Sequence, residues 1–201
     1  MKSLTLPVAL LTAFTLAGCA TAPGPVEVTR FVDPAAGAQL GRGTIFIESA
    51  PGTPDDTLSL SPYKSAVAAE LRRLGYTETD RAGASQIAQV RVEHYIDGGE
   101  PKRSPVSVGV GGSTGGYGSG VGLGIGINLG GGSKEKRGTQ MGVVIRDAAS
   151  QRSLWEGRAD FAVPVNSSLA PAPANAQTVA AALFSDFPGN NGETIEVKVS
   201  E

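Results

Sequence analysis

The sequence has one cysteine and one histidine in 201 residues, its aromatic side chains amount to 5%, and its formal net charge is only -2. A single cysteine excludes an intramolecular disulfide framework, which an exported domain builds from an even set. One histidine without a free thiol beside it cannot supply the ligands of a zinc site, so neither metal nor cofactor is expected. The near balance of 17 basic against 19 acidic residues gives no pull on a nucleic-acid backbone. A spanning helix is missing as well: the apolar run from Leu4 to Leu16 falls short of the roughly 20 residues that cross bilayer hydrocarbon. Glycine, by contrast, is abundant, with 28 residues, and much of the excess lies in one tract between 104 and 133. The length suits one domain with appendages.

The start, "MKSLTLPVALLTAFTLAGCATAPG", joins a charged Lys2, a short apolar core and small residues that end at Cys19. That order is an export signal over residues 1–18. Leu16-Ala17-Gly18-Cys19 resembles the bacterial lipobox, the recognition site of lipoprotein signal peptidase. The resemblance implies that the Cys19 thiol becomes a thioether to diacylglycerol, that its new amino group is acylated, for example with palmitate, and that Cys19 is the mature first residue. With about 0.8 kcal/mol per buried methylene, more than one acyl chain makes a durable anchor. Ala20 stands where lipoproteins retained in the inner membrane often have aspartate. The expected location is therefore the periplasmic face of the outer membrane. Residues 19–27 form a short tether broken by Pro and Gly, which keeps the domain, residues 28–201, close to lipid.

Along the domain, "VEVTRF" and "GTIFIES" read as strands, followed by a loop over 49–59. "SPYKSAVAAELRRLGY" predicts a helix with Ser61 as N-cap, Pro62 at its first position and Gly75 as its stop. Tyr63, Val67, Leu71 and Leu74 make its apolar stripe, with Lys64, Glu70, Arg72 and Arg73 toward water. In "SQIAQVRVEHYIDG", alternation puts Ala88, Val90, Val92, His94 and Ile96 on one face and Gln89, Arg91, Glu93, Tyr95 and Asp97 on the other. "QMGVVIRDAASQRSLWEGRADFAV" predicts a hairpin turning at Asp147 to Arg152, with Trp155 as the largest core side chain. After the Pro-broken connector "PVNSSLAPAPANA", "AQTVAAALFSDF" predicts a short helix with Val179, Leu183 and Phe187 on one stripe. "ETIEVKVSE" closes the chain as a strand with Ile195, Val197 and Val199 on one face. The expected fold is α+β: a mostly antiparallel sheet with two helices on one face, plus a glycine-rich β-hairpin inserted at 104–133.

The lipobox, "AAELRRLGY" followed by "QIAQVRVEHY", a glycine-rich middle, "VIRDAASQRSLWEGRADF" and a helix closing in "LFSDFP" together resemble the bacterial lipoproteins grouped as domain of unknown function 4136. The resemblance covers nearly all of the mature chain and implies an envelope protein. That family has no established activity, so no catalytic residue is carried over. The element order is also similar to the small domain of the TolB amino-terminal type, a likeness of fold without function.

The chemical readings divide on context. "GGSTG" matches G-x-S-x-G with Ser113 as nucleophile, but that motif sits between a strand and a helix, glycines follow here instead of a helix, and His94 precedes rather than follows. His94 with Glu93 and Asp97 cannot converge on a metal, because adjacent strand residues point to opposite faces; a partly buried strand histidine is expected instead. The tract from Gly109 to Gly132 contains neither a dinucleotide nor a P-loop fingerprint. It reads as two strands, Val106, Val108 and Val110 on one, and Val121, Leu123, Ile125, Ile127 and Leu129 on the other, around a turn at Tyr117. The tract is uncharged from Ser104 to Ser133, yet Lys102, Arg103, Lys134, Lys136 and Arg137 stand at its base. Those cations and Tyr117 are candidates for contact with lipid headgroups, lipopolysaccharide or an envelope protein.

The function expected is that of an outer-membrane-anchored periplasmic lipoprotein with a structural or binding role and no catalysis. Its partners would be the bilayer, through acylated Cys19, and an envelope protein or lipopolysaccharide, with no nucleic acid. One alternative is an enzyme or enzyme accessory acting on envelope polymers, which an organised pocket with clustered perturbed side chains around His94 would favour. Another is an oligomeric pore component, since Gly120 to Leu129 approaches the 9–11 residues of a tilted membrane strand.

Overall fold

The computed structural model describes residues 23–53, 58–97, 106–112, 121–127 and 135–200. The signal segment with Leu16, Ala17, Gly18 and Cys19, together with Lys102, Arg103, Ser113, Tyr117 and Lys134, lies outside the described residues. The elements run β1 (Val26–Val32), β2 (Thr44–Ser49), α1 (Ser61–Arg73), β3 (Thr77–Glu78), β4 (Gln86–Asp97), β5 (Val106–Gly112), β6 (Val121–Ile127), β7 (Lys136–Asp147), β8 (Ser153–Pro164), α2 (Ala172–Leu183) and β9 (Glu193–Val197).

Seven strands form one sheet in the order β3-β2-β4-β7-β8-β1-β9. The sheet is mixed, which corrects the expectation of a mostly antiparallel one. β2 lies parallel to both of its neighbours, β3 and β4, while the remaining pairs are antiparallel. The cause is α1: a strand that leaves through a helical crossover returns in the same direction, whereas a tight turn reverses it. β4 and β7 pair over their whole length, from Gln86 opposite Asp147 to Asp97 opposite Lys136. β5 and β6 pair antiparallel in a separate two-stranded sheet, Val106 opposite Ile127 and Gly112 opposite Val121. The turn that would make them the expected hairpin lies outside the described residues.

The helices cover one face. Tyr63, Val67 and Leu71 of α1 and Ala176, Val179 and Leu183 of α2 are buried with Val28, Ile45, Ala88, Val90, Met141, Val143, Trp155, Ala159 and Phe161 of the sheet. Ser61 is the first helical residue rather than the N-cap. Leu60 occupies the cap position with helical dihedrals and makes no capping bond, because its side chain has no acceptor; burial in the core is what it contributes there. The stop at Gly75 is as expected. Its φ is +106°, a left-handed conformation that a side chain would strain, and the N–H groups of Gly75 and Tyr76 donate to the carbonyls of Arg72 and Leu71, both at 3.1 Å. This is the Schellman arrangement that satisfies the last helical carbonyls.

α2 begins and ends earlier than expected. Pro173, read as part of a connector, sits in its first turn, where the missing N–H would have had no partner in any case. Phe184 and Phe187 leave the helix instead of continuing its stripe. Their rings lie 5.3 and 5.2 Å from that of Trp155, whose indole N–H donates to the Pro188 carbonyl at 2.9 Å. β9 pairs with β1 at the sheet edge, Val26 opposite Val197.

Candidate functional site

The face of the sheet away from the helices carries polar side chains in ordered rows. Register places Glu27, Asp160, Gln140 and Glu93 across one row, and Thr29, Arg158, Gly142 and Arg91 across the next. These residues line a shallow cleft. A Cβ built on Gly142 would meet nothing within 4 Å, so Arg91 and Arg158 stand on either side of a bare backbone floor. Each has a carboxylate on its own strand: Arg158 reaches Glu156 at 2.6 Å and Arg91 reaches Glu93 at 3.7 Å. Both arginines are exposed, so these pairs exchange readily with water or with a ligand.

The row beyond Asp160 is more rigid. Tyr95 lies across Gly138 on the neighbouring strand, so closely that a Cβ there would fall 2.1 Å from the ring. The phenol donates to one Asp160 oxygen at 2.7 Å, and Gln140 donates to the other at 2.8 Å. Burial first, then donation to Asp160 and the charges of Asp160 and Asp97, push the Tyr95 phenol up to about 12. It is therefore a fixed hydrogen-bond donor at any physiological pH. Chemically the face offers fixed donors and acceptors with two movable cations over a glycine floor. It is suited to hold a polar extended partner, and no nucleophile and base meet on it among the described residues.

His94 projects on the helix side, near the end of β4. It is exposed rather than partly buried, although one side of its ring lies against Thr139 Oγ1, 3.4 Å from Nδ1, and 5.6 Å from the Tyr63 ring. Tyr63 is buried and donates to Asn175 Oδ1 at 2.9 Å. Burial holds the Tyr63 phenol above its ordinary value, while burial and the Arg137 charge hold His94 below its own. Two perturbed groups therefore do cluster, but around Thr139 and Asn175, and among the described residues no carboxylate is bonded to the imidazole to orient it as a base. Glu93 and Asp97 point to the opposite face, as strand alternation requires. Among the described residues no group of three His, Cys, Asp or Glu side chains could hold a metal ion.

Of the expected contact cations, Lys136 and Arg137 are described and exposed, and alternation sends them to opposite faces. Arg137 donates to the Ala170 carbonyl at 3.5 Å. Sequence reasoning passed over Arg30, which is fully buried. Its guanidinium donates to Glu193 at 3.0 Å, to the Ser185 hydroxyl and carbonyl at 3.0 and 2.5 Å, and to the Leu183 carbonyl at 3.4 Å. The signal was present: Val26, Val28, Arg30 and Val32 alternate inward, and an arginine at an inward position needs partners.

The family described as Domain of unknown function (DUF4136) matches residues 38–189. A comparison with curated proteins finds no match. Among solved structures, the PelC dodecamer from Paraburkholderia phytofirmans is 13% identical, with a TM-score of 0.43 over 80% of this chain and 95% of that one. A PDZ domain protein from Parabacteroides distasonis ATCC 8503 is also 13% identical, with a TM-score of 0.51 over 87% of this chain and 39% of that one. The second likeness is one of fold, and this chain spans less than half of that protein's length.

Proposed function

The chain belongs to the DUF4136 family, and on that premise we propose that it is a lipid-anchored protein of the periplasmic face of the outer membrane that binds a polar envelope partner without catalysing a reaction. The anchor rests on Leu16-Ala17-Gly18-Cys19 in the sequence. The binding role rests on one observation: the sheet face without helices, where Arg91 and Arg158 flank the bare backbone of Gly142. An enzyme would need a paired nucleophile and base in a cleft. His94 instead lies on the helix side, away from the groove, beside Thr139 and Tyr63.

In cells fed an alkynyl palmitate, the chain becomes labelled and fractionates with the outer membrane, and Cys19→Ala abolishes both. A photo-crosslinker at Val144, on the open face, captures a discrete envelope component, while one at Gln177, on the outer side of α2, does not. Capture from both positions alike, or from neither, overturns the binding role. Labelling that survives Cys19→Ala overturns the anchor.

A further inference from the structure

We infer that the domain rests on the bilayer through one end of its sheet, the end bearing Ile96, Lys136, Arg137 and Val165. This orientation rests on the lipid-anchor reading above and goes beyond it, because a tethered domain could equally float free of the surface.

Three independent placements converge on that end. The first is the tether. Glu27, Asp160, Gln140 and Glu93 share a row, and the strands alternate in direction, so the chain running back from Glu27 to Gly24 climbs toward Val163, Arg137 and Ile96. Gly24 accordingly lies beside the Ala162 carbonyl. Cys19 is seven residues before Val26, a reach of at most about 25 Å. The opposite end of the sheet, at the turn joining β7 to β8, is a further ~35 Å away along the twelve residues of β7. Only the first end can touch a membrane that holds the acyl chains without the tether doubling back along the domain.

The second placement is the distribution of apolar surface. Among the described residues four large hydrophobic side chains are exposed: Leu58 (92%), Ile96 (57%), Phe31 (43%) and Val165 (39%). Ile96 is the penultimate residue of β4. Val165 follows β8, and its N–H donates to the Glu135 carbonyl at 3.3 Å, which fixes it beside the start of β7. Leu58 precedes α1, whose first turn brings Tyr63 against His94. Three of the four therefore sit around the tether's exit. The fourth, Phe31, lies at the level of Glu156 and is capped by the Arg158 guanidinium at 5.9 Å. Exposed apolar residues scattered singly need no explanation, but their collection at one end does.

The third is charge. Lys136 and Arg137 stand at the same end, exposed and on opposite faces of β7, so that a cation is presented on each side of the sheet. Asp97, opposite Lys136, offsets one of them. Apolar side chains that enter the headgroup layer between cations are the pattern of an interfacial contact.

The test uses the full chain, purified in its acylated form and reconstituted into vesicles of phosphatidylethanolamine and phosphatidylglycerol. Single cysteines replace Ile96, Val165 or, as the far-end control, Ala149, and each carries an environment-sensitive fluorophore quenched by nitroxide-bearing lipids. Acylation blocks the thiol of Cys19, so the new cysteine is the reactive one, and all three positions are exposed enough to be replaced without loss of the fold. Quenching at 96 and 165 at least threefold stronger than at 149 supports the orientation; equal quenching, or stronger quenching at 149, overturns it. Flotation and intact mass of the same samples separate the two ideas. Protein that is acylated and floats, yet is quenched alike at both ends, removes the orientation and leaves the anchor. Protein that lacks the acyl mass and stays at the bottom of the gradient removes both.

Discussion

At the scale of single residues, the positions that matter most for the open face are a glycine and a tyrosine that touch. Gly138 has no side chain because the Tyr95 ring occupies the space where a Cβ would be, and that placement aims the phenol at Asp160. Gly138→Ala displaces the ring. Tyr95 then loses both its burial and its acceptor, and its pKa falls from about 12 toward the ordinary value of 10, which a spectrophotometric titration of tyrosinate reads against the parent. An unchanged titration would mean that Tyr95 is held by something other than this contact. Arg30 is the corresponding position in the core. Arg30→Met leaves the Leu183 and Ser185 carbonyls without the guanidinium that donates to them and takes one donor from Glu193, a loss on the order of 1–3 kcal/mol. Glu193→Gln costs less, because the amide keeps an oxygen that accepts from Arg30, and the guanidinium retains the Ser185 and Leu183 acceptors. Urea unfolding of the two variants shows the order.

At the scale of elements, the segment after α2 explains a motif that the sequence offered only as a likeness. "LFSDFP" is not a helical stripe: Phe184 and Phe187 wrap Trp155 while Leu183 and Ser185 supply the carbonyls that Arg30 binds. The two ends of the chain meet in β1 and β9, both outside the family match over 38–189. β9 covers an edge that would otherwise offer the unpaired backbone of β1 to another sheet. Removing residues 193–201 is expected to lower the unfolding midpoint, because Arg30 loses Glu193, and to promote self-association through the bared β1. Size-exclusion chromatography with light scattering detects the second effect. A truncated chain that keeps the parent's oligomeric state and stability would show that β9 is an ornament of the edge.

At the scale of the whole molecule, one end of the sheet gathers Gly24, Ile96, Val165, Lys136, Arg137 and His94. The pKa of His94 is held below 6.5 by burial and then by Arg137, so the folded state binds a proton less readily than the unfolded chain. Its contribution to stability is thus present above the unfolded value and is lost as the pH falls below about 6.5. The parent is expected to lose thermal stability between pH 7.5 and 5.5, and His94→Gln to lose less over the same interval. Parallel melts of the two proteins check it, and equal losses would assign the pH dependence to other groups.

Much of this molecule was legible before any coordinates. Period-2 alternation assigned the faces of β4 correctly, and the 3.6-residue stripe with Gly75 as stop located α1, because burial of one face leaves that pattern in any chain. Directions and partners were not legible. Whether β2 runs parallel to β4 depends on the path of α1, and whether Arg30 finds Glu193 depends on two strands brought together from opposite ends of the sequence. Nothing local records either. The sequence by itself determined most of the elements of the main sheet, the position of α1 and the inward faces of β4 and α1. The tertiary structure alone decided that the sheet is mixed, that Arg91 and Arg158 face each other across Gly142, and that Gly24 stands at the same end of the sheet as Ile96 and Arg137, since strand register is fixed by contacts between residues far apart in the chain.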